Sequence, residues 1–375
     1  MQYTEKLRQN KILTIGIDGG DFYPFGTVNS GIKRIVDSFL RNIPRIKGYK
    51  IVINYYYFGS EKNNLPKKLP YTLNICKLPN RLFSSLFLPY NLLKNKNDVY
   101  IGFSSVTPHF LGYFPIKKII FLYDLGFLAF PDLYKSHEKM VDHTLRTIIL
   151  SDRLVVLSNC AKKAIKMGIQ KIDSKKIIVK YPGNDHFKFK PKTKSVLKDP
   201  YFLYVGVVKP IKDVIRLIKL FRIFKEDDNN IKLVIIGRKE NRYWKKIQKT
   251  IEYQEIKNEL IFLENIIDKE LLAYYQHSIA LLNVSKVEGL GFPVLEALSL
   301  GKTVIVNKLD IYEEFDNKYP NLWVGKDDQK IIKLMNKVVR KPQLIEKEPV
   351  LFTWKEFSEK LLDTAIFLDS KKITK

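Results

Sequence analysis

The sequence predicts an α/β protein built from two doubly wound domains that face each other across a central cleft. Short apolar, β-branched runs alternate with amphipathic stretches throughout the C-terminal half, and the N-terminal half repeats this alternation less regularly. Strands that alternate with helices over such lengths are typical of parallel sheets covered by helices on both faces. At 375 residues the chain is also about two and a half times as long as a typical domain. We therefore expect two domains rather than one.

In the C-terminal half, five short apolar runs predict strands, at 201–205, 232–236, 260–263, 280–284 and 303–306. Between the first two, Val214, Leu217, Ile218 and Phe221 recur at helical spacing within residues 211–224. This spacing predicts an amphipathic helix that packs one face on the sheet.

In the N-terminal half, the predicted strands lie at 12–17, 50–55, 99–103, 118–123 and 153–157. Helices are predicted over 31–42 and 158–167, and Ser158 stands where an N-cap is expected. The Lys- and Pro-rich segment 188–200 is typical of a linker, so we place a first domain over 1–188 and a second over 189–350. Ligands of doubly wound sheets bind outside the carboxyl ends of the strands, which predicts a site in the cleft.

The charge balance is unusual, because 65 Lys and Arg residues face 39 Asp and Glu residues, for a formal net charge of +26. Such an excess favours anionic partners: nucleic acid, acidic lipid headgroups or phosphorylated substrates. Only 12 of the basic residues are Arg, the usual choice for bidentate recognition of phosphates or bases. A solvated, Lys-rich surface is the favoured interpretation, a membrane-surface role is the main alternative, and nucleic acid comes next.

The two cysteines, Cys76 and Cys160, are too few for a disulfide framework or a zinc site. With no recognisable signal peptide, they favour the cytoplasm. No apolar run approaches the roughly 18 residues that a spanning helix needs. The longest, residues 82–93, contains Pro89 and has basic neighbours at both ends. A helix in the core of the first domain is favoured over one lying in a membrane interface.

The most informative segment is EGLGFPVLEAL, residues 288–298, which follows a predicted strand. Its two glycines permit close approach of a ligand to the backbone, and Pro293 suits the first turn of a helix. Gly301 stands where the C-terminal cap of that helix is expected. Free N–H groups at a helix N-terminus form an anion site suited to a pyrophosphate.

Two carboxylates belong to this segment. Glu296 lies among apolar residues, where a carboxylate is costly to bury unless hydrogen-bond donors reach it. A ribose diol offers two such donors at about the right distance from a pyrophosphate held one turn earlier. Glu288, at the end of the strand, is expected to face the group beyond the phosphates. A solvated Glu on an ordinary capped helix is the alternative interpretation.

The spacing of Glu288 and Glu296 within SKVEGLGFPVLEALSLGKTVIV resembles the donor-site signature of glycosyltransferase family 4, the "glycosyl transferases group 1" type. Eight further blocks resemble segments of that family in the same order along the chain. They are SGIKRI (30–35), IIFLYDLGFLAFPDLY (119–134), LVVLSNCAKKAI (154–165), YPGND (181–185), YFLYVGVVKPIKD (201–213), LVIIGRKE (233–240), IFLENIIDKELLAYYQHSIALLNVS (261–285) and FTWKEFSEKLL (352–362). The resemblance implies the glycosyltransferase-B fold, with two Rossmann-like domains and a C-terminal helix, residues 351–375, packing back toward the first domain.

Matched position by position, the resemblance implies a role for each of several residues. Glu296 would hold the ribose and Glu288 the hydroxyls of the donor sugar. Lys212 would neutralise the diphosphate. The backbone amides of Gly289, Leu290 and Gly291 would contact the pyrophosphate, and Gly31 would let a loop of the first domain approach the diphosphate. The base would lie near the backbone at Asn265.

The sequence departs from the family pattern at two places. Ile211 stands where an Arg commonly precedes the lysine, so we expect Arg238 or Lys239 to supply the missing cation. Tyr123 stands where a His usually precedes Asp-Leu; a tyrosine donates hydrogen bonds but is no base near neutral pH. Asp124 then becomes the candidate carboxylate on the acceptor side.

Together these residues predict a retaining glycosyltransferase of the hexosyltransferase type (EC 2.4) that needs no cofactor and no metal. It would move a sugar from a nucleoside-diphosphate sugar to a hydroxyl of a glycan or lipid-linked glycan, in O-antigen, capsule or lipopolysaccharide biosynthesis. We expect it in the cytoplasm, peripheral on the inner face of the plasma membrane, with anionic lipid and not nucleic acid as its surface partner. Two alternatives stay open: a nucleotide-sugar epimerase or hydrolase of the same fold, and a non-catalytic basic protein that binds membrane or nucleic acid.

Overall fold

Two parallel sheets organise the chain, as the alternation of strands and helices predicted. The computed structural model describes residues 11–19, 31–58, 71–79, 82–104, 111–123, 125–134, 136–169, 172–187, 192–225, 230–341 and 352–370. No helix in these ranges is long and apolar enough to cross a membrane.

The first sheet has seven strands in the order β3-β2-β1-β4-β5-β6-β7. They are β1 (Lys11–Asp18), β2 (Tyr49–Phe58), β3 (Thr72–Cys76), β4 (Val99–Gly102), β5 (Lys117–Leu122), β6 (Arg153–Val156) and β7 (Ile177–Val179). The helices among them are α1 (Gly31–Arg41), α2 (Leu88–Lys94), α3 (Gly126–Ala129), α4 (His137–Leu150) and α5 (Asn159–Gly168). The strand order reverses between β1 and β4, which opens a crevice at their carboxyl ends.

The second sheet has six strands in the order β10-β9-β8-β11-β12-β13. They are β8 (Tyr201–Val205), β9 (Lys232–Ile236), β10 (Leu260–Leu263), β11 (Leu281–Asn283), β12 (Val304–Asn307) and β13 (Leu322–Gly325). The helices that follow are α6 (Val214–Phe224), α7 (Asn241–Ile247), α8 (Ile251–Ile256), α9 (Asp268–His277), α10 (Phe292–Ser299), α11 (Asp310–Glu313), α12 (Asp328–Arg340) and α13 (Trp354–Ser370). Here the order reverses between β8 and β11.

The largest apolar cluster joins the two sheets. It extends from Ile101 of β4 to Leu203 of β8 and includes Trp354 and Leu361 of α13. Two separate clusters cover the opposite faces of the sheets, because successive strand residues point to opposite sides. Helix α13 follows the second sheet in the chain but packs on the first domain, where Phe357 lies 6.2 Å from the ring of Phe121.

Both ends of α10 are determined by glycine. Gly291 precedes the helix with φ of +78°, a conformation that favours glycine, and Pro293 lies in the first turn. After the helix Gly301 has φ of +68°. The N–H groups of Gly301 and Lys302 donate to the carbonyls of Leu298 and Ala297, which closes the C-terminal cap as expected. The predicted N-cap of α5 is confirmed as well, since the Ser158 hydroxyl accepts from the N–H of Ala161.

The structure differs from the expected elements in three respects. Helix α6 begins at Val214 rather than at 211, because Asp213 adopts the left-handed conformation and Pro210–Lys212 forms a separate 3₁₀ turn. Strands β3, β7 and β13 had no predicted counterpart. Residues 82–93 form a π-helical turn that continues into α2, with one face in the core and the other exposed.

Candidate functional site

The candidate site lies where the strand order of the second sheet reverses. Lys212 follows β8, and the loop after β11 leads to Glu288 and α10. We call residues 288–291, which connect this loop to α10, the glycine turn. Because β8 and β11 are neighbours, the carboxyl ends of both strands bring their loops to one edge of the sheet.

The glycine turn contacts the first domain directly. A Cβ atom on Gly289 would lie 2.1 Å from the carbonyl oxygen of Tyr123, so only glycine fits there. The Ser158 hydroxyl donates to the carbonyl oxygen of Gly289 at 2.8 Å. Gly31, the first residue of α1, faces the ring of Phe292 at the start of α10. The N-termini of two helices therefore meet at this edge of the cleft.

The turn presents free donors. Among the described residues, none accepts a hydrogen bond from the N–H groups of Gly289, Leu290 or Gly291. They precede α10, whose N-terminus carries a partial positive charge. Unpaired N–H groups at such a position suit a bound anion.

Glu288 is held by three donors of its own domain. Lys212 Nζ donates to Oε2 at 2.6 Å, and Ser285 Oγ and Asn283 Nδ2 donate to Oε1 at 2.7 and 3.2 Å. Burial opposes ionisation of this carboxyl, but the Lys212 charge and the three hydrogen bonds outweigh it. The pKa of Glu288 therefore falls below its ordinary 4.5. The structure thus brings together the two groups predicted to act on the donor sugar and the diphosphate.

The position of Lys212 follows from the break before α6. The lysine ends the 3₁₀ turn, and the N–H of Lys286 in the glutamate-bearing loop donates to the carbonyl of Ile211 at 2.9 Å. This hydrogen bond ties the two loops side by side. Ile211, where the family pattern has Arg, is buried.

Glu296 has different neighbours. Its Oε1 lies 3.1 Å from Arg34 Nε of α1 and 3.1 Å from His186 Nε2, and its Oε2 accepts from the Tyr275 hydroxyl at 2.8 Å. The guanidinium nitrogens of Arg34 also donate to both oxygens of Asp268 at 3.2 and 2.9 Å. We call these five residues the Glu296 junction.

The tautomer of His186 follows from its second contact. The indole N–H of Trp354 donates to Nδ1 of His186 at 3.3 Å, so the ring proton resides on Nε2 and is donated to Glu296. Burial raises the pKa of Glu296, but Arg34, His186 and Tyr275 together lower it to about 2. Glu296 is therefore an anion at every physiological pH. It was predicted to meet a ribose; here its donors are protein groups.

Three residues predicted to bind the donor make no contact with the glycine turn among the described residues: Arg238, Lys239 and Asn265. Arg238 is exposed, and no described residue pairs with its guanidinium. The ammonium of Lys239 lies over the rings of Trp244 and Phe262, at 4.7 and 5.3 Å from their centroids. Neither cation contacts Glu288. Asn265 is exposed, in the left-handed conformation at φ of +57°.

On the first domain, Asp124 lies outside the described residues, as does Ser30. The hydroxyl of Tyr123 is buried, and within the described part of the chain nothing hydrogen-bonds to it. Burial and the nearby charge of Asp18 raise the pKa of Tyr123 well above its ordinary value. Asp18, fully buried at the end of β1, accepts from Ser104 and from the Tyr100 hydroxyl.

Sequence reasoning missed several of these residues. Ser285 and Asn283 stand just before Glu288, and their position at a strand end was the available signal. Asp18 offered the same signal, as a carboxylate at the end of the first strand. Arg34 and His186 offered none, because their link to Glu296 arises only when the two domains and α13 pack together.

A second contact between the domains lies at the N-terminus of α5. Glu314 of the second domain accepts from the backbone N–H groups of Asn159, at 3.3 Å, and of Cys160. A carboxylate at a helix N-terminus is favourable because it meets both unpaired N–H groups and the positive end of the dipole. No group of three or more His, Cys, Asp or Glu side chains in the described part of the chain is placed to hold a metal ion.

Comparisons with known proteins find similarity over the part of the chain that contains this site. Residues 185–348, which contain Lys212, Glu288 and Glu296, match the family model described as "Glycosyl transferases group 1". The O-antigen chain mannosyltransferase RfbU of Salmonella typhimurium is 31% identical over 159 residues, 42% of this chain and 43% of that protein. The serotype-specific mannosyltransferase WbdA of Escherichia coli is 26% identical over 134 residues, 36% of this chain and 16% of that protein. The matches thus span less than half of these relatives.

Solved structures are similar over nearly the whole chain. Sucrose-phosphate synthase from Thermosynechococcus elongatus has a TM-score of 0.68 at 12% identity, covering 96% of this chain and 98% of that one. HepE of Anabaena in complex with UDP and glucose has a TM-score of 0.66 at 13% identity, with the same coverage. At such identities the likeness concerns the fold alone, and it confirms the predicted glycosyltransferase-B architecture.

Proposed function

We propose that this protein, whose residues 185–348 match the family model of glycosyl transferases group 1, is a retaining glycosyltransferase of surface polysaccharide assembly. It would transfer a sugar from a nucleoside-diphosphate sugar to a hydroxyl of a glycan or lipid-linked glycan. The observation that carries this proposal is the pairing of Lys212 with Glu288 beside the unpaired N–H groups of the glycine turn. A cation, a carboxylate and a helix N-terminus that meet at one edge of the sheet are suited to binding a sugar diphosphate.

The reaction can be written for these groups. The bond between the anomeric carbon and the diphosphate oxygen breaks, and the acceptor hydroxyl forms its new bond on the same face. The hydroxyl proton passes to the departing phosphate oxygen, so the anomeric configuration is retained. Lys212 and the α10 N-terminus stabilise the charge that develops on the diphosphate, while Glu288 holds sugar hydroxyls. Contact between the domains limits the access of water to the donor.

The first experiment is a thermal-stability screen with a panel of nucleotide sugars, since a bound donor raises the unfolding temperature by mass action. Mannosyl donors head the panel because the similar O-antigen enzymes are mannosyltransferases. The donor that binds is then incubated with and without a lipid-linked acceptor extract. Acceptor-dependent consumption of the donor with a retained anomeric configuration is the expected result. Inversion of configuration would contradict the retaining mechanism.

An epimerase or hydrolase of the same fold is the alternative for this site. It would convert the donor in the absence of any acceptor, releasing an epimer or free sugar. A donor that is stable alone and consumed only with acceptor excludes that alternative.

We also propose that turnover needs no metal, because Lys212 and the helix N-terminus supply the positive charge. A rate unchanged by EDTA is expected; a loss restored by added divalent cations would contradict it.

For its location we propose peripheral attachment to an anionic membrane, where a lipid-linked acceptor is found. Leu86, Tyr90 and Leu93 recur at helical spacing and are 56%, 60% and 39% exposed. Lys94 lies over the Tyr90 ring at 6.0 Å. An apolar stripe with a flanking cation suits insertion at a lipid headgroup layer.

Vesicle sedimentation tests this attachment. Vesicles with acidic lipid are expected to bind the protein at low salt more strongly than neutral vesicles, and Leu86→Ser combined with Tyr90→Ser is expected to weaken binding. Ile251→Ser, which removes a 71% exposed apolar side chain from the second domain, is the matched control. Equal binding to acidic and neutral vesicles would refute the attachment.

A further inference from the structure

The carboxylate of Glu296 is nearly saturated by the protein. A carboxylate offers about four lone-pair positions. Three are used here, by Arg34 and His186 on Oε1 and by Tyr275 on Oε2, and the residue is 3% exposed. A ribose diol brings two donors. At least one of the present donors must therefore leave before the diol can be bound.

The three donors are not equally free to leave. Tyr275 is fully buried in the core, and His186 is held from behind by the indole N–H of Trp354. Arg34 differs from both. Its guanidinium already donates to both oxygens of Asp268, so a second carboxylate holds it when it leaves Glu296.

This second anchor decides the energetics. Removing a buried cation from its carboxylate normally costs several kcal/mol, because a charge is left unpaired. Arg34 avoids that cost, since both terminal nitrogens stay paired with Asp268 while only Nε releases Glu296. The Asp268 side chain is 42% exposed, so it can follow the guanidinium.

On the basis of the donor-binding function proposed above, we propose that Arg34 competes with the ribose of the nucleotide for Glu296, and that donor binding transfers Arg34 wholly to Asp268. Arg34 then sets the affinity for the donor without touching the sugar. Asp268 is the second carboxylate that keeps the Arg34 guanidinium paired when it leaves Glu296.

The test uses the full chain and titration calorimetry with the nucleoside diphosphate that the wild type binds best among UDP, GDP and ADP. Arg34→Met removes the competitor, and affinity is expected to rise roughly tenfold. Inorganic pyrophosphate has no ribose, so its affinity is expected to show no gain. If Arg34→Met weakens the binding of both probes, Arg34 is a phosphate ligand and the proposal is overturned.

Asp268→Asn provides the second variant, and it predicts the opposite sign. When Asp268 has lost its charge, Arg34 remains paired with Glu296, so nucleotide affinity is expected to fall several-fold. The matched control is Asp328→Asn. Asp328 also begins a helix of the second domain, is 44% exposed and pairs with an arginine, Arg216, but belongs to no part of the Glu296 junction.

The two signs separate competition from a structural role. If Arg34 only fastened the domains together, both variants would loosen the same contact and change affinity in the same direction. That outcome would overturn the inference. Asp268 is exposed enough for its variant to fold even where Arg34→Met does not, and thermal denaturation establishes which variants are folded.

Failure here is distinguishable from failure of the proposed function. A wild type that binds no nucleoside diphosphate and no nucleotide sugar contradicts the glycosyltransferase and the competition together. A wild type that binds nucleotide and transfers sugar, with no gain in a folded Arg34→Met variant, overturns only the competition.

Discussion

Glu288 and Glu296 stand eight positions apart, both are buried, and both are ionised, yet their partners come from different parts of the molecule. Glu288 is paired with Lys212, Ser285 and Asn283, all close to the strand ends of the second sheet. Glu296 is instead contacted by Arg34 of α1 and by His186, which precedes the linker, as well as by Tyr275 of its own domain.

The difference shows two ways of stabilising a buried carboxylate. Burial raises the pKa of both groups, and in both the paired donors reverse the effect. For Glu288 the donors are local, so the group is ready for a ligand whatever the domains do. For Glu296 two of the three donors, Arg34 and His186, are in place only when the two domains and α13 are assembled. In the proposed function Glu288 acts on the donor, whereas Glu296 links the donor site to the packing of the two domains.

The largest expected effect is on Glu288. Glu288→Gln keeps the shape but removes the charge that faces Lys212, and we expect turnover with donor and acceptor to fall roughly 100- to 1,000-fold, as for loss of one preorganised electrostatic group. Because Lys212 then loses its counter-charge, some loss of stability is also expected, and thermal denaturation establishes that the variant is folded under assay conditions. Glu255→Gln, which breaks an exposed pair with Arg222, is the control. Turnover near that of the wild type would remove Glu288 from the proposed mechanism.

Glu296 is expected to act on stability through pH. Its pKa is about 2 in the folded protein and 4.5 ordinarily. A carboxyl with a depressed folded pKa stabilises the fold above the unfolded value and loses that effect as pH falls through the folded one. We therefore expect its contribution, about 3 kcal/mol, to be constant above pH 5 and lost between pH 4.5 and 2.

Denaturant unfolding of wild type and Glu296→Gln at several pH values measures this contribution. The wild type should exceed the variant in stability at pH 6, and the gap should close toward pH 2. A gap that stays the same at every pH would mean that the charge of Glu296 is not what holds the junction.

Ser158 sharpens the contrast between local and interdomain contacts. Its hydroxyl accepts from the N–H of Ala161 and donates to the carbonyl of Gly289. Ser158→Ala is expected to cost about 2 kcal/mol of unfolding free energy, for a lost cap and a lost hydrogen bond. Thr353→Ala is the control, because within the described part of the chain its hydroxyl only accepts from the N–H of Glu356, and this loss should cost about 1 kcal/mol. Equal losses would show that the bond to Gly289 adds nothing.

The smallest effect is expected at Trp354. Trp354→Phe removes the N–H that fixes the His186 tautomer; this lost hydrogen bond contributes about 1 kcal/mol of unfolding free energy, beyond the cost of the smaller ring. Trp323→Phe is the matched control, because its indole N–H also donates at 3.3 Å, to the carbonyl of Pro320. Both variants should lose similar stability, but only Trp354→Phe should change nucleotide affinity. If Trp323→Phe changed nucleotide affinity by the same amount, the His186 tautomer would not be what affects nucleotide binding.

Much of the fold was predictable because local signals carry it. The bounds of β8, β9 and β10 agree with the predicted runs, and the caps at Ser158 and Gly301 follow from residue type alone. Strands β3 and β7, at the edges of the first sheet, escaped prediction because most residues of β3 are not buried and β7 has only three residues. The left-handed Asp213 escaped as well, since nothing in its neighbours requires that conformation.

The site divides along the same line. Glu288 and Lys212, each predicted to act on the donor, lie in contact because the neighbouring strands β8 and β11 bring their loops to one edge of the sheet. The partners of Glu296 could not be derived, since His186 is 110 residues away along the chain and its contact depends on domain packing. The expected cations Arg238 and Lys239 do not contact Glu288. Arg238 is exposed, and the ammonium of Lys239 lies over two aromatic rings.

Helix α13 has a consequence for how the protein is made. It packs on the first domain, with Phe357 near Phe121 and Lys11 of β1 paired with Asp369 at 2.5 Å, yet it is translated after the whole second sheet. A nascent first domain leaves the ribosome without this covering helix, and its apolar face stays uncovered while the second domain is synthesised. Domains usually complete folding in order of synthesis. Here the first domain can be completed only after the second, and the apolar face that α13 covers stays exposed to solvent until residue 370 has emerged.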